Sequence, residues 1–587
     1  MKHKLLCILL CLAMLLTGGL LSGCANNSRG ESADTTGDEP FVTRSSMTLT
    51  LWVPTSPDTT AEAIEQVEEA LNNVTQPMYD TAIKLYALPW DEYDAAVKQQ
   101  VLDIEQRIKE EEQAELDRRK EELEAAKRGD DETTVPETTE RVEEETSPYS
   151  LIIPSAPGYP HVEKNQMDIF LIHGMEDYKF YAENFYLSSL NEELSASSKE
   201  LYRYIYPDFF TAAQVDGTTY GIPNNHAVGE YTYFLVNKRL IEEEYLDPAQ
   251  ITSLDSSQGF IQDVVKYHKD VTPIYGAYVP SYYEYWSGKD LQTFSVLASR
   301  ITANSDADVP ATDVFRNIFS MSNFTNNTYL YKSYVEQGYV ATGEEPDEFA
   351  VGYIKCSPSE IQKYAKEYYI NIHQAPRGTM EDYTQAIFAV SAYTKNVSRS
   401  MEILTLLNTN TQFRTILQYG AEGTHWKYDE EDDSFIVPLS DAYQMRILDT
   451  GNEFITYPDY GERLSYWDAA KQQNLDSYIP ISLLIDAEEY QNEENAALLA
   501  KLDAFNAQIK KEIDEMSAET FKEMIDSGTL RQRVENNEAY QKLTYIPKDS
   551  DASNGISPET GWDPDASIVN RWIEHFTEVF GRAPGDY

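Results

Sequence analysis

The chain carries many side chains that could do chemistry, but they lack the spacing that catalysis requires. The motifs H-E-x-x-H, G-x-x-x-x-G-K-[ST], G-x-S-x-G and paired C-x-x-C, which mark zinc proteases, nucleotide-binding loops, serine hydrolases and thiol sites, do not occur. A carboxylate pair for glycoside hydrolysis stays open, since 99 Asp and Glu are present and only their separation in space decides that chemistry. We predict no enzyme, no cofactor and no metal site. The histidines of the body are scattered at His161, His173, His226, His268, His373, His425 and His575.

Another set of residues suits non-covalent binding of a polar ligand. Flat aromatic rings offer apolar faces, and Asn side chains offer hydrogen bonds without charge. In open α/β sheets, ligands bind beyond the carboxyl ends of the strands. This rule selects Trp90 after a second predicted strand, His173 after a third, and Asn224 and Asn225 after a short extended segment. The other predicted ligand-binding residues are Tyr283, Trp286, Trp426 and Trp467.

The elements that must position these residues alternate between strands and helices. Apolar, β-rich runs at 47–54, 82–88 and 166–172 predict strands. A helical spacing at 58–73 separates the first two strands, and a second helix is expected to begin near Asp91. Strand, helix, strand, helix, strand favours right-handed βαβ units on a parallel sheet, and therefore an α/β fold.

An acidic insertion at 102–165 interrupts this part of the chain. The helix from Asp91 places Val97, Val101, Ile104 and Ile108 on one face, but beyond Lys109 the sequence is almost entirely charged or small. The segment 129–147 is rich in Asp, Glu, Thr and Pro, a composition typical of disorder. We predict a helix that projects from the body, followed by a flexible return. It serves either as a docking arm or as a tolerated surface insertion.

The N-terminus reads as an export signal. K-H-K at 2–4 precedes an apolar run at 5–16, which is too short to span a membrane, and L-S-G-C follows at 21–24. That last tetrapeptide resembles a bacterial lipobox, which implies cleavage of a 1–23 signal peptide and a diacylglyceryl thioether on Cys24. The alternative is an ordinary signal peptide with an accidental cysteine. Residues 24–46 are rich in Ser, Thr, Gly, Asn and Asp and predict a flexible tether, so the protein is expected to be extracytoplasmic and lipid-anchored to the cell membrane.

The net charge argues against a nucleic-acid partner, and the cysteine content argues against a disulfide. The formal net charge of −52 repels nucleic acid phosphates, which predicts no nucleic-acid partner. Cys7 and Cys11 lie in the signal and Cys24 carries the lipid. Cys356 then stands alone, so no intramolecular disulfide is expected in the mature chain.

Several segments together carry a family resemblance. D-G-T-T-Y-G-I-P at 216–223, followed by F-L-V-N-K-R-L at 234–240, resembles the crossover between the lobes of bacterial extracellular solute-binding proteins. The segments S-A-Y-T-K-N at 391–396, L-L-N-T-N at 406–410 and L-Q-Y-G-A-E-G-T-H-W at 417–426 resemble the carboxyl half of sugar-type solute-binding lipoproteins. So do G-N-E-F-I-T-Y-P at 451–458 and Y-W-D-A-A-K-Q-Q-N at 466–474.

The resemblance implies a two-lobe, periplasmic-binding-protein-like α/β fold of type II. The first lobe would comprise 47–228 and about 383–460, and the second 229–382 and about 461–587. Such a protein is the substrate-binding subunit of an ABC importer. It captures a carbohydrate in the interlobe cleft by hinge closure and delivers it to ABC permease subunits, which are separate chains.

The leading interpretation is therefore a monomer that binds a small-molecule solute, an oligosaccharide. The nearest alternative is the same fold binding a peptide or another solute. From other classes, a surface glycan-degrading enzyme and an adhesion lipoprotein stay open.

Overall fold

The computed structural model describes residues 44–128, 156–278, 284–285, 294–299, 315–432, 434–477 and 493–544. The predictions for the signal peptide, Cys24, most of the tether, the acidic return, Tyr283 and Trp286 lie outside these residues. No helix within the described ranges is long and apolar enough to cross a membrane.

Strands and helices alternate in the first part of the chain, as the sequence pattern predicts. The strands are β1 (Met47–Thr55), β2 (Thr81–Pro89), β3 (Ile169–Ile172), β4 (Gln214–Val215), β5 (Thr218–Thr219), β6 (Gly221–Pro223), β7 (Tyr231–Asn237), β8 (Thr272–Tyr275), β9 (Glu284–Tyr285), β10 (Leu297–Ser299), β11 (Phe315–Asn317), β12 (Val340–Ala341), β13 (Phe349–Cys356), β14 (Tyr368–Gln374), β15 (Ile387–Val390), β16 (Trp426–Tyr428) and β17 (Ile436–Pro438). The α-helices are α1 (Ala61–Tyr79), α2 (Tyr93–Arg128), α3 (Met175–Glu183), α4 (Asn191–Ser195), α5 (Pro207–Ala212), α6 (Lys238–Glu243), α7 (Gln258–Tyr267), α8 (Ser322–Glu336), α9 (Met380–Thr384), α10 (Val397–Thr409), α11 (Thr411–Tyr419), α12 (Tyr466–Asp476), α13 (Glu493–Glu515), α14 (Ala518–Asp526), α15 (Thr529–Glu535) and α16 (Glu538–Leu543).

The first sheet has the order β2-β1-β3-β15-β6. β1 pairs in parallel with β2 and β3, which confirms the predicted βαβ arrangement, whereas β15 runs antiparallel to both β3 and β6. β1 is buried along nearly its whole length, because helices cover both faces of a parallel sheet. The register brings Thr55, Pro89, Ile172 and Pro223 to one edge of this sheet.

The long helix α2 confirms the predicted projection. Its first turns pack on the first sheet through Tyr93, Val97, Val101 and Ile104. The hydroxyl of Tyr93 lies 2.9 Å from the carbonyl oxygen of Trp52. From residue 109 to 124 every side chain is exposed, so this part of the helix has no apolar face against the body.

The second sheet has the order β12-β8-β13-β7-β14. β7 runs antiparallel to β13 and β14, while β13 pairs in parallel with β8. The start of β7 lies beside the ends of both neighbours, since Tyr231 pairs with Cys356 and Thr232 with Gln374. Helices α13 to α16 enclose a further apolar core with the segments 294–297 and 318–324.

Within the described residues, two crossings connect the two sheets. Residues 224–230, here called the first crossing, lead from β6 to β7, and residues 375–386, the second crossing, lead from β14 to β15. The crossings touch at Gly229, whose φ is +61°, and a Cβ at this position would lie 2.4 Å from the carbonyl oxygen of Arg377. This close approach requires glycine.

Candidate ligand-binding site

A cavity of about 530 Å³ lies against the first crossing at Ala227 and Gly229. The segment 357–359, which directly follows β13 of the second sheet, lines it on one side. Residues of the chain between β17 and the end of α12 line the other side. Together the lining comprises two aromatic rings, carboxylates, hydroxyls and an amide, namely Trp467, Tyr466, Glu453, Asp459, Glu462, Ser357, Ser359 and Gln473, with Ala227, Gly229, Pro358, Ile447, Pro458, Ala469 and Ala470.

Helix α12 positions the two aromatic rings and holds the first crossing. Nε1 of Trp467 donates a hydrogen bond of 2.6 Å to the carbonyl of Thr456, which fixes the orientation of the indole. Near the other end of the helix, the Asn474 side chain accepts from the amide of Val228 at 2.9 Å and donates to the carbonyl of His226 at 2.7 Å. The Asn474 amide thus pairs with a backbone N–H and a backbone carbonyl, as a neighbouring β-strand would, and these two bonds attach α12 to the first crossing.

Glu453 links the cavity to the crossing through both its backbone and its side chain. It begins the 3₁₀-helix Glu453–Ile455, which Asn452 caps by accepting from the Phe454 amide at 3.1 Å. The amide of Glu453 donates to the Asn225 carbonyl at 3.0 Å, and its Oε1 accepts from the Ala227 amide at 2.8 Å. Burial raises the pKa of Glu453 from 4.5 to about 7, against the opposing effects of the Ala227 amide and the Arg414 guanidinium.

A second cavity, of about 1000 Å³, also contacts Ala227 and Gly229. The second crossing, the second sheet and α13 line it with residues of both charges. Three aromatic rings also line it: Tyr278 after β8, Phe294 before β10 and Phe324 of α8. Lys355 lies 3.7 Å from Glu230, and Lys510 lies 2.7 Å from Asp514, so acidic partners balance these two cations. In the described part of the chain, no group of three or more His, Cys, Asp or Glu side chains could hold a metal ion.

Comparison with known proteins identifies the fold. No protein-family model matches the chain. A carbohydrate ABC transporter substrate-binding protein of Streptococcus pneumoniae serotype 4 is 26% identical over 292 residues, which are 46% of this chain and 57% of the relative, so the match spans little more than half of that protein. The crystal structure of the N-glycan transport solute binding protein (NgtS) from Streptococcus pneumoniae matches with a TM-score of 0.51 and 15% identity, covering 91% of this chain and 100% of that one.

This chain has the fold of a solute-binding protein. The structure thereby confirms the predicted two-lobe α/β fold, and the curated relative confirms the resemblance to carbohydrate-binding subunits of ABC transporters. Both similar proteins are described as binding proteins of transport systems.

The predicted ligand-binding residues of the first sheet lie at its carboxyl edge, but their side chains are engaged within the solute-binding fold. Trp90 is half-buried, and the Arg446 guanidinium covers its ring at 4.7 Å. His173 lies between Asp94 at 2.7 Å and Asp449 at 3.1 Å. Burial lowers the pKa of His173, but the hydrogen bonds and charges of Asp449 and Asp94 outweigh it and raise that pKa from 6.5 to about 9.

Asn224 and Asn225 are buried at the start of the first crossing and line neither cavity. Nδ2 of Asn224 donates to the Leu448 carbonyl at 2.7 Å, and Nδ2 of Asn225 donates to the Tyr204 carbonyl at 2.9 Å. The two amide nitrogens therefore tie the crossing to neighbouring loops, whereas the buried Oδ1 of Asn224 accepts no hydrogen bond from the described residues.

Of the two later tryptophans, Trp426 packs in a core, whereas Trp467 lines the first cavity. Trp426 is buried with Tyr419, Ile436 and Tyr457, and its Nε1 donates to the Gly420 carbonyl at 2.8 Å, so it supports the β16–β17 hairpin. Trp467 is mostly buried as well, but it lines the cavity of the solute-binding fold. Of the predicted residues that the structure describes, Trp467 is the one that reaches this cavity.

Sequence reasoning missed Glu453, Tyr466 and the segment 357–359 as site residues. Glu453 lies 226 residues from Ala227, the backbone group that it contacts, so no local pattern connects the two. The available signal was the family resemblance of 451–458 and 466–474, which marked both segments without assigning a role to Glu453.

Proposed function

We propose that this chain is the substrate-binding subunit of an ABC importer and captures an oligosaccharide in the cavity beside the first crossing. The cavity itself carries this proposal. It combines two aromatic rings with carboxylates, hydroxyls and an amide, and this mixture suits a ligand with apolar ring faces and a rim of hydroxyls. The carbohydrate ABC transporter relative and the N-glycan transport protein of the same fold support a sugar as the solute.

The arrangement favours capture by hinge closure. The segment 357–359 continues directly from a strand of the second sheet, whereas Glu453 and α12 are bonded to the first crossing. A rotation about the two crossings would move 357–359 towards Trp467 and enclose the solute. The closed form would then be presented to permease subunits. Cys24, through a lipid, would keep the protein at the membrane surface.

Ligand screening tests this function directly. Intrinsic tryptophan fluorescence and thermal shift would be recorded for the protein lacking residues 1–24, against mannose-containing oligosaccharides, maltose-series oligosaccharides, peptides and amino acids. We expect a saturable response to at least one oligosaccharide and none to the amino acids. A response to peptides alone would reject the carbohydrate assignment.

Two aromatic variants, one inside the first cavity and one outside both cavities, test where the solute binds. Trp467→Ala should weaken oligosaccharide binding by about tenfold or more, because a ring that stacks on a sugar contributes over 1 kcal/mol. Tyr267→Ala removes an exposed ring that lines neither cavity, and should leave the affinity unchanged. Equal affinities of the two variants would place the solute elsewhere.

Turnover of the solute and lipid attachment at Cys24 are tested by two separate assays. An oligosaccharide incubated with the purified protein should be recovered intact, and release of shorter sugars would support a glycan-degrading enzyme instead. Replacement of Cys24 by Ser should abolish incorporation of labelled fatty acid without changing the affinity for the solute.

A further inference from the structure

Glu453 is a buried carboxylic acid that contacts the cavity and the interlobe crossing at the same time. Only 5% of its surface is exposed, yet it lines the cavity. Its Oε1 accepts the 2.8 Å hydrogen bond from the Ala227 amide. Among the described residues, the Ala227 amide is the one group that donates a hydrogen bond to this carboxyl. The other oxygen, Oε2, therefore accepts no hydrogen bond from the described part of the protein.

The charged groups around Glu453 do not neutralise it through a direct ion pair. Arg414 of α11 is buried nearby, but its Nη2 donates to the Ile447 carbonyl at 2.9 Å and its Nη1 to Gln418 at 3.1 Å. The neighbouring charges at the cavity, Asp459 and Glu462, are both acidic. Among the described residues that line this cavity there is no Lys or Arg.

This cavity is therefore unsuited to an acidic ligand. An anionic group placed there would meet three carboxyl groups without a compensating cation, and such a charge is costly to desolvate. A neutral hydroxyl meets no such penalty. It can donate to a carboxylate oxygen, or accept from the protonated acid, which suits a carboxyl whose pKa is about 7.

We propose that Glu453 is a specificity-determining residue that hydrogen-bonds a hydroxyl of an uncharged oligosaccharide through one oxygen and holds the first crossing through the other. This inference rests on the proposed function, and it adds two statements to it. The solute class is neutral glycans and excludes acidic ones. Solute contact is also transmitted to the hinge by a single side chain, because the Ala227 amide and the solute share one carboxyl group.

The test compares the wild-type protein with two isosteric variants, Glu453→Gln and Glu183→Gln, the second at an exposed carboxylate that lines neither cavity. A Gln side chain keeps an oxygen for the Ala227 amide, so the first variant should fold. The probes are a neutral mannose-containing oligosaccharide of the N-glycan type and the same type of oligosaccharide capped with sialic acid. Affinity is measured by titration calorimetry.

We expect the wild-type protein to bind the neutral probe at least about tenfold more tightly than the acidic probe. Glu453→Gln should weaken binding of the neutral probe by about tenfold, the usual scale for losing a charged hydrogen bond, and should reduce the discrimination between the probes. Glu183→Gln should change either affinity by less than about threefold, because Glu183 is exposed, lines neither cavity, and charges in such positions contribute little.

A second readout follows the hinge. Hydrogen exchange of the peptide that contains Ala227 should slow when the wild-type protein binds the neutral probe, and this slowing should be smaller in Glu453→Gln. Oligosaccharide binding that Glu453→Gln does not alter would overturn this inference and leave the proposed function standing. Equal binding of both probes would do the same. Absence of binding to any oligosaccharide would overturn the proposed function itself.

Discussion

His173 makes the stability of the first sheet dependent on pH. Its two hydrogen bonds to Asp94 and Asp449 favour the protonated ring, so its pKa in the folded protein, about 9, exceeds the unfolded value of 6.5. A raised pKa stabilises the fold fully below pH 6.5, and this stabilisation is lost as the pH rises through 9. The contribution is on the order of 2 kcal/mol, allowing for partial solvent screening of this half-buried group.

The measurement is urea unfolding of the wild-type protein and of His173→Gln over this pH range. We expect the difference in unfolding free energy to be largest at acidic pH and to shrink towards alkaline pH. Taking the difference cancels the other titrating groups that the two proteins share. A difference that is constant with pH would show that His173 keeps its ordinary pKa.

Asp168 is a second residue on which the first sheet depends. It is fully buried, and its Oδ2 accepts from the Thr50 amide at 2.8 Å and from Gln166 at 2.7 Å. Its Oδ1 accepts from Thr394 at 2.8 Å and from the Lys395 amide at 2.7 Å. Asp168→Asn turns one acceptor into a donor that faces donors, and should lower the unfolding free energy by about 2–4 kcal/mol.

The matched control for this change is Asp117→Asn on the exposed part of α2. That carboxylate pairs with Lys120 in solvent, so its replacement should cost no more than about 0.5 kcal/mol. Similar costs for the two variants would mean that the Asp168 network contributes little to the fold.

At this scale the sequence predicts where residues follow strands but not what their side chains contact. Trp90, His173 and Asn224 lie at the predicted edge, because strand ends can be read from apolar runs. Their partners come from remote segments: Asn224 contacts Leu448, and His173 contacts Asp449, which is 276 residues away. A local pattern holds no information about such contacts. A residue that contacts a ligand and a buried structural residue therefore cannot be distinguished from the sequence around them.

Among the elements, the first crossing is the one on which the proposed hinge depends. Gly229→Ala should destabilise the protein strongly, because its Cβ would lie 2.4 Å from the Arg377 carbonyl oxygen of the other crossing. Gly338→Ala is the matched control, since it also has a positive φ, of +73°, but its Cβ would meet open space. The control should cost about 1 kcal/mol and Gly229→Ala at least about 1–3 kcal/mol more.

Chemical denaturation of both variants gives this comparison. Equal losses would mean that backbone conformation alone determines the cost and that the crossings can separate without penalty. If Gly229→Ala folds with altered solute affinity and Gly338→Ala does not, the close contact of the crossings also sets the geometry of the cavity.

The element pattern explains how much of the fold could be predicted. β1, β2, β3, α1 and α2 follow from apolar runs and helical spacing, because each buries a continuous face. β15 comes from a distant part of the chain and pairs antiparallel with β3, and β6 in turn pairs antiparallel with β15; nothing in these short sequences gives either direction. The family resemblance supplied the expectation of a second lobe and of a crossover near 216–240, which periodicity alone did not, but it gave no strand order for the second sheet.

For the whole molecule, the formal charge of −52 distinguishes neutral solutes from acidic ones. Long-range repulsion by this charge weakens binding of an acidic peptide or sugar, and added salt screens the repulsion. A neutral oligosaccharide feels no such field. Its dissociation constant should therefore change by less than about twofold between about 0.05 and 0.5 M salt, whereas that of an acidic solute should fall as salt is added.

Calorimetric titrations of the best-binding solute at several salt concentrations measure this dependence. A non-sugar osmolyte without net charge, such as trimethylamine N-oxide, added at matched osmolarity, controls for general effects on solvation. Salt-independent affinity agrees with an uncharged solute bound at Glu453 and Trp467, because added salt screens no charge on such a solute. Affinity that falls steeply with salt would instead indicate a cationic solute attracted by the acidic surface, and would contradict the oligosaccharide assignment.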